Sequence, residues 1–280
     1  MSPRPHWVSG IAAATALDEP SPARRAGDLV RAEWIKMRSL RSTWWMVALS
    51  AIATVGIAVL TANSDLRDMD RSGFDPLSDS FIGMLISQLV FATLGVLTIS
   101  DEYTSGLIRS TFTVTPQRMA VLAAKATVVG ALTLVTGGLS AVAAFGTAQT
   151  ILSSQNLGIS LTAPGALPAI TAATGYLVTA SLIGLGLGTL LRGTAPAVCA
   201  AVVLLFLAPE LLRGTAPWVT TLANTLPADA IRRLVAGTVP VDAPSATQAI
   251  VVILAYPLLI LMAAAVRLRR RDTGSSQMRV

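Results

Sequence analysis

Residues 167–191 read LPAITAATGYLVTASLIGLGLGTLL, a run without a single charged side chain. A helix rises ~1.5 Å per residue and the hydrocarbon core of a bilayer is ~30 Å thick, so ~20 such residues suffice to cross it. Five further stretches are predominantly apolar: 44–62, 81–100, 119–148, 196–212 and 247–266. The stretch 196–212 is the shortest, and Pro209 and Glu210 blur its end. Composition agrees, with 53% hydrophobic and 13% charged residues against ~25% charged in soluble domains. The expected fold is therefore all-α, a polytopic membrane protein with six transmembrane helices. Six spans and their connections use up the chain and leave no room for a large soluble catalytic domain.

Charge decides the threading. Arg24, Arg25, Arg31, Lys36, Arg38 and Arg41 precede the first span, and Arg267, Arg269, Arg270, Arg271 and Arg279 follow the last. The connection after span one is acidic, with Asp65, Asp68, Asp70, Asp75 and Asp79 against Arg67 and Arg71. Lys and Arg beside a span resist translocation. Six spans with basic residues at both ends place both termini in the cytoplasm. The formal charge of +6 is thus mainly a topology signal, and no nucleic-acid partner is expected.

Four regions follow. Residues 1–23, rich in Pro, Ser and Ala, read as a disordered cytoplasmic N-terminus; the Ala-rich run at 7–17 is too weakly hydrophobic for a signal peptide. Residues 24–43 read as an amphipathic interfacial helix, 44–266 as the six-helix transmembrane domain, and 267–280 as a basic cytoplasmic tail. Within the interfacial helix Val30, Trp34, Met37, Arg41 and Trp44 recur at helical spacing. Arg31 and Arg38 fall on the opposite side, and Glu33 and Lys36 flank the apolar stripe. Such a helix lies in the membrane plane with its basic side chains at lipid headgroups. Trp44 and Trp45 then anchor the first span at headgroup depth.

What the chain lacks narrows the chemistry. Its one histidine is His6 and its one cysteine is Cys199, so a Ser-His dyad, a zinc-protease helix and a multi-cysteine metal centre have no residues to draw on. No GxxxxGK[ST] phosphate loop occurs. Gly184, Gly186 and Gly188 mimic a dinucleotide loop but sit inside an apolar span, where close helix packing explains them. Acidic and basic side chains are missing from the middles of the first four spans, which argues against coupling to protons or sodium ions. No catalytic residue, cofactor or metal site is expected, and energy must come from outside the membrane.

The connection after span two points to the source. It reads DEYTSGLIRSTFTVTPQR over 101–118. Thr115 and Pro116 are a helix start, with Thr at the N-cap and Pro in the first turn. Before them Leu107, Ile108 and Phe112 make an apolar cluster flanked by Glu102 and Arg109. Apolar residues held just outside a bilayer within a charged rim suit a soluble partner.

Two segments resemble one family. RAEWIKMRSLRSTWW (31–45) is similar to the leading helix, and EYTSGLIRST (102–111), with Pro116 and Arg118, to the loop after span two, of actinobacterial ATP-binding-cassette (ABC) transporter permeases of the second exporter type. The six-span layout is similar as well. The resemblance implies a permease without ATPase activity of its own. It implies two copies of a soluble ABC ATPase subunit beneath a pair of permeases, expected to be a homodimer set in membrane lipid. It places Glu102, Gly106, Leu107, Ile108 and Arg109 at the contact with the ATPase, with the helix carrying Val30, Trp34, Met37, Arg38, Arg41 and Trp44 bracing that contact. It also places short re-entrant helices in 208–246. The competing reading is a non-transporting membrane scaffold or regulatory protein that uses its basic tails as interaction sites.

Overall fold

The computed structural model describes residues 22–67, 74–104, 118–212, 225–237 and 245–275, and all regular structure among them is helical. In chain order the helices are α1 (Pro22–Ser39), α2 (Arg41–Arg67), α3 (Pro76–Asp79), α4 (Met84–Thr104), α5 (Arg118–Ser153) and α6 (Ala166–Leu191). There follow α7 (Thr194–Val202), a π-helical turn (Val203–Leu207), α8 (Ala208–Leu212), α9 (Pro227–Val235) and α10 (Ala246–Ser275). Six segments are long and apolar enough to cross a membrane: α2, α4, α5, α6, the continuous α7–π–α8 run, and α10 up to Leu268. These match the six stretches read from the sequence. Most of the helices overrun them, α2 beginning at Arg41 and α10 continuing through the basic tail to Ser275, whereas α4 starts at Met84, three residues into its stretch.

The charge-free stretch at 167–191 becomes the hub of the bundle. α6 packs against α4, α5, α7, α9 and α10, and its glycines set how closely. A Cβ on Gly184 would overlap the backbone of Ala92 in α4, and one on Gly188 would lie 2.7 Å from Ile99 and 3.1 Å from the Val96 carbonyl. Gly186 turns to the other side and meets Ile260 of α10. Gly95 returns the contact from α4, where a Cβ would overlap the Ser181 carbonyl. With no hydrophobic drive between helices in lipid, such close approach and its dispersion energy hold helices together.

Two prolines shape the remaining spans. An α-helical ladder would require an N–H at Pro209 and would crowd its ring against the Leu205 carbonyl. The turn ahead of it widens to a π-helix instead, and the Ala208 N–H bonds to the Val203 carbonyl five residues back. Inside α10, Pro257 removes the donor that would have served the carbonyl of Ile253. Thr179 of α6 fills that vacancy, donating its hydroxyl to the Ile253 oxygen at 3.1 Å.

The bundle has two differently built ends. At one, the far end, Asp75 caps α3 through the Leu77 N–H at 3.1 Å and accepts the Gly237 N–H at 2.6 Å just beyond α9. Gln149 donates to the Pro76 carbonyl at 2.8 Å and to Ser80 at 3.0 Å, and accepts from the Ile159 N–H at 2.7 Å. These bonds tie α3, the end of α5, the 154–165 connection and the end of α9 into one cap. The other end, the base, carries α1.

Candidate functional site

The base is organised around α1. Its axis breaks at Leu40, whose N–H still reaches the Met37 carbonyl at 3.4 Å. Ser39 donates to the Lys36 carbonyl at 2.7 Å and the Trp44 indole to the Arg38 carbonyl at 3.0 Å, so side chains satisfy carbonyls that the ended helix orphans. Val30 and Met37 of the expected stripe turn into the bundle, Met37 being fully packed. Trp34, Ile35, Leu40, Trp44 and Trp45 remain exposed, as do Arg31, Arg38 and Arg41. The inward face of α1 therefore has a mixed character: Val30 and Met37 share it with Glu33 and Lys36.

Those two charges meet partners from two spans. Lys125 lies two turns into α5, and its side chain is 0% exposed. It donates to Glu33 Oε2 at 2.7 Å, to Glu102 Oε1 at 2.8 Å and to the Thr98 carbonyl at 3.4 Å. Lys36 of α1 donates to the same Glu102 oxygen. Two carboxylates and two ammonium groups thus join α1, the last turn of α4 and the second turn of α5. Exposure falls from 40% at Lys36 and 13% at Glu33 to 3% at Glu102. An ammonium as deeply buried as that of Lys125 is tolerable only with charged partners and hydrogen bonds on its protons, and it has three acceptors.

Depth explains why such a cluster can exist here. With 36 residues, α5 is ~54 Å long, against a ~30 Å hydrocarbon core. Lys125 sits ~10 Å from the start of that helix, at the rim of the apolar zone and not at its middle. The middle of the bundle holds uncharged polar contacts instead, such as the Tyr176 hydroxyl donating to Gln88 and Ser87 donating to the Ser50 carbonyl.

Of the residues expected at the partner contact, Glu102 is thus buried and tied to two lysines, at the point where α4 leads into the connection. Gly106, Leu107, Ile108 and Arg109, like the Thr115–Pro116 helix start, lie outside the described residues. Sequence reading overlooked the joint role of Glu33, Lys36, Glu102 and Lys125. One signal was available: Lys125 is the lone charge within the third apolar stretch, and a lone lysine at that depth demands a carboxylate.

A family model described as ABC-2 family transporter protein matches residues 29–208, from within α1 to near the end of the fifth span. The chain belongs to the ABC-2 transporter family. It is the membrane permease component of an ABC transporter, a multi-pass membrane protein that is not itself catalytic. The matched region holds the whole clasp, both ends of the connection after span two, and the α6 hub. No individually curated protein matches the chain.

Proposed function

We propose that this ABC-2 permease is the transmembrane subunit of an ATP-driven exporter of the plasma membrane, with both termini and the α1 base in the cytoplasm. Two copies of the permease pair, and two soluble ABC ATPase subunits seat beneath them against residues 105–117. Gly106, Leu107, Ile108 and Arg109 make that contact, and Glu102 anchors its first residue to the bundle. The supporting observation is the four-charge clasp. It fastens α1 to α4 and α5, the two spans that the connection joins, so a push on the connection reaches both spans and the surface helix together. Closure of the ATPase pair on ATP then becomes a tilt of the bundle, because packed helices move as rigid bodies and not as deformable rods.

Orientation and contact have separate tests. In a Cys199→Ser background, Ser39→Cys should react with a membrane-impermeant thiol reagent only after cell lysis, whereas Ser64→Cys should react in intact cells. A photoreactive residue at Leu107 or Ile108 should crosslink to a P-loop-containing protein. Labelling of Ser39→Cys from outside would invert the topology and sink the reading.

A further inference from the structure

α1 commits one side to the bundle and leaves another bare. Val30 and Met37 of the expected stripe turn into the core, and Glu33 and Lys36 are held in the clasp. At 3.6 residues per turn, Trp34, Arg38 and Arg31 fall within about 60° of one another, on the side away from Glu33. All three are exposed, as is Ile35 beside them. Arg41 opens α2 one residue beyond the break at Leu40 and is exposed as well. None of these three guanidinium groups is paired with a carboxylate among the described residues.

A hydrogen bond sets the level of this face. The Trp44 indole donates to the Arg38 carbonyl at 3.0 Å, tying the last turn of α1 to the mouth of the first span. From that mouth Trp45, Leu49 and Ile52 run along α2 at helical spacing, all exposed, as the side chains of a span's lipid face are. Indoles at a span mouth lie at headgroup depth, so arginines at the same level reach lipid phosphates.

We propose that the Arg31, Arg38 and Arg41 face is a contact site for anionic phospholipid headgroups, the phosphatidylglycerol class. A guanidinium forks onto any phosphate, but a choline or ethanolamine headgroup brings its own cation to the same place and offsets the attraction. A headgroup with net negative charge does not. Each basic side chain near an anionic surface is worth roughly fivefold in lipid preference. Three arginines, less about one for the exposed Asp28, leave a local enrichment of about 25-fold. The occupant is the bilayer and not an acidic protein, because the face is continuous, through Trp44, with a side of α2 that already faces lipid. α1 is thereby held from within by the clasp and from without by lipid.

The test places the full chain, in a Cys199→Ser background, in nanodiscs of mixed phosphatidylglycerol and phosphatidylcholine. A fluorophore on Ala32→Cys, an exposed position of α1, is quenched by a trace of either lipid carrying a nitroxide near the headgroup end of an acyl chain. Quenching should report phosphatidylglycerol enriched about 25-fold over its bulk ratio to phosphatidylcholine. The enrichment should fall toward one at about 1 M salt, where the Debye length is ~3 Å. Arg31→Gln with Arg38→Gln should also bring it to about one. Arg31→Lys with Arg38→Lys should keep most of it, since charge carries the preference. The same fluorophore on Ser64→Cys, near the other end of α2, should show no comparable enrichment. Equal quenching by the two lipids at Ala32→Cys, the same preference at Ser64→Cys, or a preference that survives the glutamine pair would overturn the proposal. So would loss of the enrichment when a co-purified ATPase is bound, which would give the face to that protein. Both leaflets of the disc carry the same lipids, so an inverted topology would show in the Ser39→Cys labelling above and leave this result unchanged.

Discussion

Replacing Lys125 with Met keeps the side-chain stem and removes the ammonium at the centre of the clasp. Three acceptors lose their donor: Glu33 Oε2 at 2.7 Å, Glu102 Oε1 at 2.8 Å and the Thr98 carbonyl at 3.4 Å. Glu102, 3% exposed, keeps only Lys36 as its lysine partner, while Glu33, 13% exposed, loses the lysine that pairs it. Removing one member of a buried ion pair costs ~3–5 kcal/mol. Glu33 can draw some water, so the lower figure applies: about 3 kcal/mol, or about a hundredfold in the ratio of docked to undocked α1. Lys36→Met should cost only about 1 kcal/mol, because Lys36 is 40% exposed and Glu102 still has Lys125. Hydrogen exchange of peptides from residues 22–39 reads this directly, since protection tracks the free energy of local opening. Exchange there should rise about a hundredfold in Lys125→Met and about fivefold in Lys36→Met. Adding Glu33→Gln and Glu102→Gln to Lys125→Met should restore most protection, because no unpaired charge then stays buried. Equal effects of the two lysine variants, no recovery in the triple variant, or loss of protection spread through α6 would refute the claim that the clasp docks α1.

Gly184→Ala should lower the thermal midpoint of the detergent-purified protein by an amount equivalent to ~1–3 kcal/mol, because the new methyl meets the Ala92 backbone; Gly146→Ala, with open space around it, should be neutral. Thr179→Val should cost ~1–3 kcal/mol by orphaning the Ile253 carbonyl. Pro257→Ala can restore a helical donor to that carbonyl, so the double variant should cost less than the sum of the singles in the same melts. At the far end, Asp75→Ala removes a cap worth ~0.5–2 kcal/mol together with the Gly237 contact, and exchange should rise in residues 227–237 while 22–39 stay protected.

The spans were legible because lipid imposes a length and composition that a sequence cannot hide: six apolar runs gave six candidate spans, most of them longer than read, as at Arg41 and Ser275, while α4, the second span, starts later, at Met84. The glycines at 184, 186 and 188 were readable as packing residues, although which helix each one meets is not encoded in their spacing. Prolines were visible too, but not their consequences. Pro257 and Thr179 form a working pair across two spans, and no local pattern announces it. The clasp was harder still. Its bonds join residues 66, 92 and 23 positions apart, and each charge taken singly has an ordinary local explanation as a helix flank or a span end. Trp34 shows the limit of periodicity: it shares helical spacing with Val30 and Met37, yet the face that turns inward is the one that Glu33 and Lys36 can also reach. Residues 105–117 lie outside the described residues, and their role as the partner contact is the proposal above.

The most direct test of the account is to purify the tagged chain in mild detergent from its native host and identify what comes with it. A stoichiometric soluble partner carrying GxxxxGK[ST], retained by the wild type and lost on Arg109→Glu while the variant still inserts normally, is the predicted result. Intact six-span protein recovered without any such partner, or a partner held equally by Arg109→Glu, would contradict it; the first outcome would favour a membrane scaffold, the second would move the contact away from residues 105–117.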